Sequence, residues 1–156
     1  MEEKGSERMY WLILVLLVGI VAAVVIWWRI MRRRQALRLF MHHSQKLTDQ
    51  IVAESLTALH WPYQPPLRSA PVADVWGHGI MGFEYETATP KITITAGQLQ
   101  NQLEVIATQQ HIASSDPQYP AFVVTDFWER AGVVHFDVAF VTNAPTIAYL
   151  QDIQRV

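Results

Sequence analysis

The sequence predicts one transmembrane helix followed by a small α+β domain, in the order helix, strand, strand, helix, strand, strand and a short closing helix. Three observations predict it. Tyr10 to Trp28 is a run of nineteen residues without a charge. Leu37 to Leu59 and Leu99 to Ala107 space their apolar residues mostly three and four apart, as amphipathic helices do. Residues 83–86, 91–95 and 122–142 show the alternating or continuous apolar character of strands. Such elements pack economically as a four-stranded antiparallel sheet with two helices on one face, a ferredoxin-like arrangement in permuted order.

The first element is set by length. At 1.5 Å per residue a helix over Tyr10–Trp28 is roughly 28 Å long, matching a hydrocarbon core of about 30 Å. Tyr10 and Trp11 at one end and Trp27 and Trp28 at the other make aromatic belts for the two interfaces. Ala22 and Ala23 are followed by Val24, Val25, Ile26 and the two tryptophans, which is not a signal-peptide cleavage site. Arg29, Arg32, Arg33 and Arg34 then clamp the helix end to anionic headgroups, each contributing on the order of 1 kcal/mol.

Orientation follows from the flanks. The tail, residues 1–9, holds Lys4 and Arg8, whereas the basic juxtamembrane segment, 29–38, holds five arginines including Arg38. The positive-inside rule therefore places the tail outside and the domain, 39–156, in the cytoplasm.

That domain carries five cations against eleven acids, a formal charge of −6, while the whole chain stands at −2. Basic charge is gathered at the membrane, so the domain lacks the Lys and Arg clusters that nucleic-acid binding needs. With no cysteine, disulfides and thiolate metal sites are excluded.

Ile30 to Leu59 contains neither Pro nor Gly, and Leu37, Phe40, Leu47, Ile51, Val52, Leu56 and Leu59 set an apolar stripe. His42 and His43 are adjacent on it, about 100° apart, so they do not converge on one metal and read as solvated. Pro62, Pro65 and Pro66 end the helix, and a loop is expected to about Ala73.

Val75–Glu86 reads as a strand with bends at Gly77, Gly79 and Gly82, and Lys91–Thr95 as its return strand in a hairpin. Thr95-Ala96-Gly97-Gln98 is a capping box, opening a helix with Leu99, Leu103, Ile106 and Ala107 inward and Gln100 on its wet face. Phe122–Trp128 and Val133–Thr142 form a second hairpin, joined by Glu129-Arg130-Ala131-Gly132. Val134, Phe136, Val138 and Phe140 form one face of the last strand. Pro145 opens the closing helix, with Ile147, Leu150 and Ile153 as its apolar positions.

Chemistry-bearing groups are few. His78 lies between two glycines, and Asp126, Glu129, His135 and Asp137 fall on the last hairpin. Pairing Trp128 with Val133 would set Asp126 opposite His135, with Asp137 a diagonal neighbour on the same face. Carboxylates beside a histidine suit acid–base work or a metal, but alternation turns these outward into solvent. No Ser-His-Asp pattern, HExxH or glycine-rich phosphate loop accompanies them. No catalytic, cofactor-binding or metal residue is expected, and no cofactor.

In its element order the chain resembles the inner-membrane alignment subunits of type IV pili and type II secretion systems. That resemblance implies a non-catalytic scaffold with its domain outside the cytoplasm, the side opposite to that given by Arg29–Arg38. The residues themselves point to a membrane-anchored domain that binds other proteins, as a subunit of a membrane assembly or a homodimer. The alternatives are a tethered enzyme with its site near the last hairpin, and an extracytoplasmic scaffold of the pilus or secretion kind.

Overall fold

The computed structural model describes residues 3–72 and 79–155. They form α1 (Glu3–Ala58), β1 (Ser69–Pro71), β2 (Gly82–Ala88), α2 (Ala96–Gln109), β3 (Phe122–Arg130), β4 (Val133–Phe140) and α3 (Ala144–Ile153). Two compact units are present, Met1–Leu39 and Phe40–Val156. In the first, the large apolar side chains from Tyr10 to Met31 are all exposed. Within Tyr10–Ala58, α1 carries a stretch long and apolar enough to cross a membrane.

The second unit is built on one antiparallel sheet of order β1-β2-β4-β3. Val134, Phe136, Val138 and Phe140 of β4 turn to one face, where Phe83, Tyr85 and Phe122 join them from the neighbouring strands. Leu99, Leu103 and Ile106 of α2 cover this face together with the end of α1. There α1 buries Ser44, Thr48, Ile51, Val52, Ser55 and Leu56, a stripe at helical spacing. The Thr48 and Ser55 hydroxyls donate to the carbonyls of Ser44 and Ile51, both at 2.8 Å, so these two polar side chains line a dry surface at little cost.

A polar clasp joins this helix to the sheet. The buried Tyr85 hydroxyl donates to Asp49 at 2.8 Å, and the Ser69 hydroxyl donates to the same oxygen at 2.6 Å. Burial first, then the Asp49 carboxylate, raises the Tyr85 hydroxyl well above its usual ionisation range. Gln45 completes the clasp by donating to the Ser69 carbonyl at 2.9 Å.

Helix ends are closed by backbone. The Trp61 N–H reaches Leu56 O at 2.8 Å and the Ile112 N–H reaches Ala107 O at 2.9 Å. The turn residues His60 and His111 take φ of 55° and 56°, the left-handed position more often given to glycine. The Thr95–Gln98 capping box forms as the sequence predicts.

Two expectations are corrected. Lys91–Thr95 is not a strand: Ile92 is 69% exposed and Ile94 is buried, so they share no face. Thr95 is already the N-cap of α2, and β2 has no free edge for a return strand, being paired with β4 on one side and β1 on the other. The second correction is β1 itself, which lies in the stretch expected to be loop and pairs Ser69 with Tyr85. The end of α1 and α2 share one face of the sheet, as expected of the two helices; the closing helix α3 does not. Ala139 and Val141 turn away from Phe136 and pack with Ile80, Tyr149 and Leu150, so α3 covers the opposite side of the sheet at one end. Asn143 caps α3 by accepting from the Thr146 N–H at 3.0 Å; Thr146 is buried, while Ile153, expected on the apolar side, is 37% exposed. Val75, Trp76, Gly77 and His78 lie outside the described residues.

Both sheet edges are blunted. β1 is three residues long and ends in Pro71. On the other edge, Gln100 was expected to face water, yet its side-chain amide docks on β3. It donates to Phe122 O at 3.0 Å and accepts from the Val124 N–H at 2.8 Å, in the manner of a further strand. Beyond it, the Asp126 carboxylate accepts from the Phe127 N–H at 2.8 Å. Substituting Gln100→Ala removes two hydrogen bonds to half-buried backbone. The expected result is a loss of about 1–2 kcal/mol in stability, measured by urea denaturation of the detergent-solubilised chain.

Candidate functional site

The candidate site is the outer face of the sheet where α3 leaves it open, and strand register builds it. Ala131 and Gly132, at φ 52° and 77°, close the β3–β4 hairpin in two residues. Arg130 therefore pairs with Val133 and Trp128 with His135, two residues beyond the expected pairing of Trp128 with Val133. Asp126 consequently lies opposite Asp137 and not opposite His135. A register shift between Val124 and Asp126 marks a bulge at Thr125. On the other flank of β4, Glu84 faces Asp137 and Glu86 faces His135.

Two cross-strand rows result. One is Glu84, Asp137, Asp126, three carboxyls side by side; the next is Glu86, His135, Trp128. His135 is held between its neighbours. Its ring stacks on the Trp128 indole with centroids 3.9 Å apart and planes within 4°, and its Nδ1 lies 3.4 Å from Glu86 Oε1 and 3.8 Å from Glu84 Oε1. That Nδ1 atom is buried and makes no hydrogen bond. Among the described residues no Lys or Arg ion-pairs with any of the four carboxylates.

The crowding is felt at Asp137. Burial, then the charges of Glu84 and Asp126, push its carboxyl up to about 6, against a smaller opposite effect of His135. At the margin, burial raises the Tyr149 hydroxyl above its usual range, with the Asp137 and Asp126 charges acting in the same direction. The arrangement is suited to holding a cation, to meeting a basic surface, or to exchanging a proton near neutral pH at Asp137.

Of the residues singled out from sequence, the structure brings together Asp126, His135 and Asp137. Glu129 turns away, accepting from the Thr89 hydroxyl at 2.9 Å. His78 lies outside the described residues, and His42 and His43 are exposed on α1. From sequence, Glu84 and Glu86 are only the residues that alternate with Phe83 and Tyr85 in a strand. Their alternation with Phe83 and Tyr85 gave their direction, but pairing β2 with Lys91–Thr95 hid what lay beside them. In the first unit Tyr10, Trp11, Trp27 and Trp28 are exposed, and the Arg32 guanidinium sits 3.9 Å from the Trp28 ring centroid.

The raised carboxyl makes stability depend on pH. An unfolded Asp ionises near 3.8 and folded Asp137 at about 6, so the folded chain holds the extra proton in between. Stability is thus highest below about pH 4 with respect to this group, falls as pH rises towards about 6, and stays lowered above. Asp137→Asn should flatten that slope and raise stability at pH above 7 by about 1 kcal/mol, after allowance for solvent screening at a half-buried group. Urea denaturation across the pH range checks both. No protein-family model matches the chain, and neither does any curated protein or solved structure.

Proposed function

We propose that the chain is a single-pass membrane protein whose α+β unit docks a basic surface of another protein, as a subunit of a membrane assembly. The observation that carries this reading is the outer sheet face. Glu84, Glu86, Asp126 and Asp137 stand there without a Lys or Arg among the described residues to pair them, and Trp128, 41% exposed, lies beside them. Complementary charge steers such a surface to its partner, and an aromatic side chain anchors it. Two copies of the same face repel each other, which favours a different chain as partner. The blunted edges support docking through this face over strand addition.

The sheet order β1-β2-β4-β3 supports reading the unit as a ferredoxin-like arrangement in permuted order. Arg29 to Arg38 support a cytoplasmic domain, with the lipid bilayer gripped by the aromatic belts and the arginines. A tethered enzyme is the second reading. It is favoured by one observation, that Asp137 ionises at about 6 beside Asp126 and His135, as a general acid would.

Two measurements test this. A photoactivatable residue at Trp128 should give a discrete, salt-sensitive protein adduct in native membranes, while one at the exposed Val105 of α2 should not; no adduct from Trp128, or equal adducts from both, defeats the docking reading. Orientation is read with a membrane-impermeant thiol reagent on intact cells. Labelling of Ser6→Cys alone is expected; labelling of Ser115→Cys alone would put the domain outside and make an envelope scaffold the better reading.

A further inference from the structure

We propose that Glu84, Glu86 and His135 form a binding site for a divalent transition-metal ion. One imidazole nitrogen and two carboxylate oxygens, one from each residue, all lie within 4.8 Å of one another. Ligand atoms around a zinc ion, each at about 2.0–2.2 Å from it, stand roughly 3–3.5 Å apart. The separations of 3.4 and 3.8 Å from Nδ1 to Glu86 and Glu84 are close to that spacing before any side chain moves.

The histidine supplies an observation independent of the acidic charge. Its Nδ1 atom is buried, lacks a hydrogen bond and lies within 4 Å of both carboxylates, on a side chain that is 16% exposed. In the neutral ring protonated on Nε2, Nδ1 presents a lone pair towards oxygens that also present lone pairs. These lone pairs oppose one another, and either a proton on Nδ1 or a metal ion between them relieves the opposition. Glu84 and Glu86 are 44% and 66% exposed, so an ion can enter from their side.

The setting favours the metal. All three ligands stand on paired strands, and the stack on Trp128 fixes the plane of the imidazole, so little order has to be gained on binding. Nitrogen with carboxylate oxygen suits zinc or manganese, whereas calcium and magnesium prefer oxygen alone. Three protein ligands leave at least one position open towards solvent. Asp137, cross-strand to Glu84, is the nearest further carboxyl on that row. The ion would also offset part of the charge crowded on this face. The site rests on the geometry of the trio and does not require the docking reading.

The test is zinc chloride titrated calorimetrically into the purified full-length chain in detergent micelles, so a failure of partner docking cannot affect it. One ion per chain should bind saturably. His135→Ala and the pair Glu84→Gln with Glu86→Gln should each weaken binding at least about tenfold, while His42→Ala with His43→Ala leaves it unchanged. Far-UV circular dichroism checks each fold; if the double variant fails to fold, Glu86→Gln alone, at an exposed side chain, carries the comparison with the same expected loss. Absence of saturable binding, or binding undiminished in the His135 and Glu variants, overturns the site. An imidazole NMR signal of His135 that responds to pH but not to zinc assigns the position to a proton and overturns it equally.

Discussion

The stacking of Tyr85 on Phe136, ring centroids 5.2 Å apart across β2 and β4, is the contact on which the second unit depends. It locks two central strands in one register, and in an antiparallel sheet register decides both faces at once. Inward, it aligns the aromatic core that α1 and α2 cover. Outward, it brings Glu84 beside Asp137 and Glu86 beside His135. A slip of one residue would exchange the two sets, putting carboxylates under the helices and phenyl rings in water. The dry core thus holds the acidic face in place, and repulsion among four carboxylates is tolerated because the core on the other side opposes any rearrangement.

The same logic explains the polar clasp of Tyr85, Asp49 and Ser69. A carboxylate near a core is expensive unless its lone pairs are used, and here two hydroxyls donate to one oxygen. The clasp ties β1, a strand too short to be held by ladder hydrogen bonds alone, to both α1 and β2. Removing charge at Asp49 and removing it at Asp137 therefore have opposite meanings: the first carboxylate is satisfied by donors, and the second is crowded by its own kind.

Most of the architecture was legible in the sequence because local chemistry and tertiary packing agree. The span, the α2 capping box, the apolar stripes and the alternation of β4 are each decided within a few residues. What misled was pairing. Lys91–Thr95 alternates as a strand does, yet Thr95 is claimed by the helix cap and β4 takes the edge of β2 that a hairpin would have used. The claim on Thr95 is written in the capping box beside it, but nothing local to Ile92 or Ile94 records that β4 takes that edge. The site was half visible for the same reason: Asp126, His135 and Asp137 share a hairpin, whereas Glu84 and Glu86 join them only through a contact some fifty residues away in the chain. The two-residue turn at Ala131 was missed because alanine is an uncommon choice for a left-handed position, and nothing in its side chain signals that conformation.

The docking of Gln100 on β3 gains a wider meaning from α1. A helix long and apolar enough to cross a bilayer would, once inserted, confine every copy of its attached domain to a thin layer, where neighbours meet far more often than the same number of molecules dispersed in water. In that crowd an open strand edge would be a seed for runaway pairing, each added copy offering a fresh edge to the next. A side-chain amide standing in for a peptide group ends the sheet chemically rather than by distance. A domain ended in this way could be packed densely on a membrane without its sheets joining edge to edge.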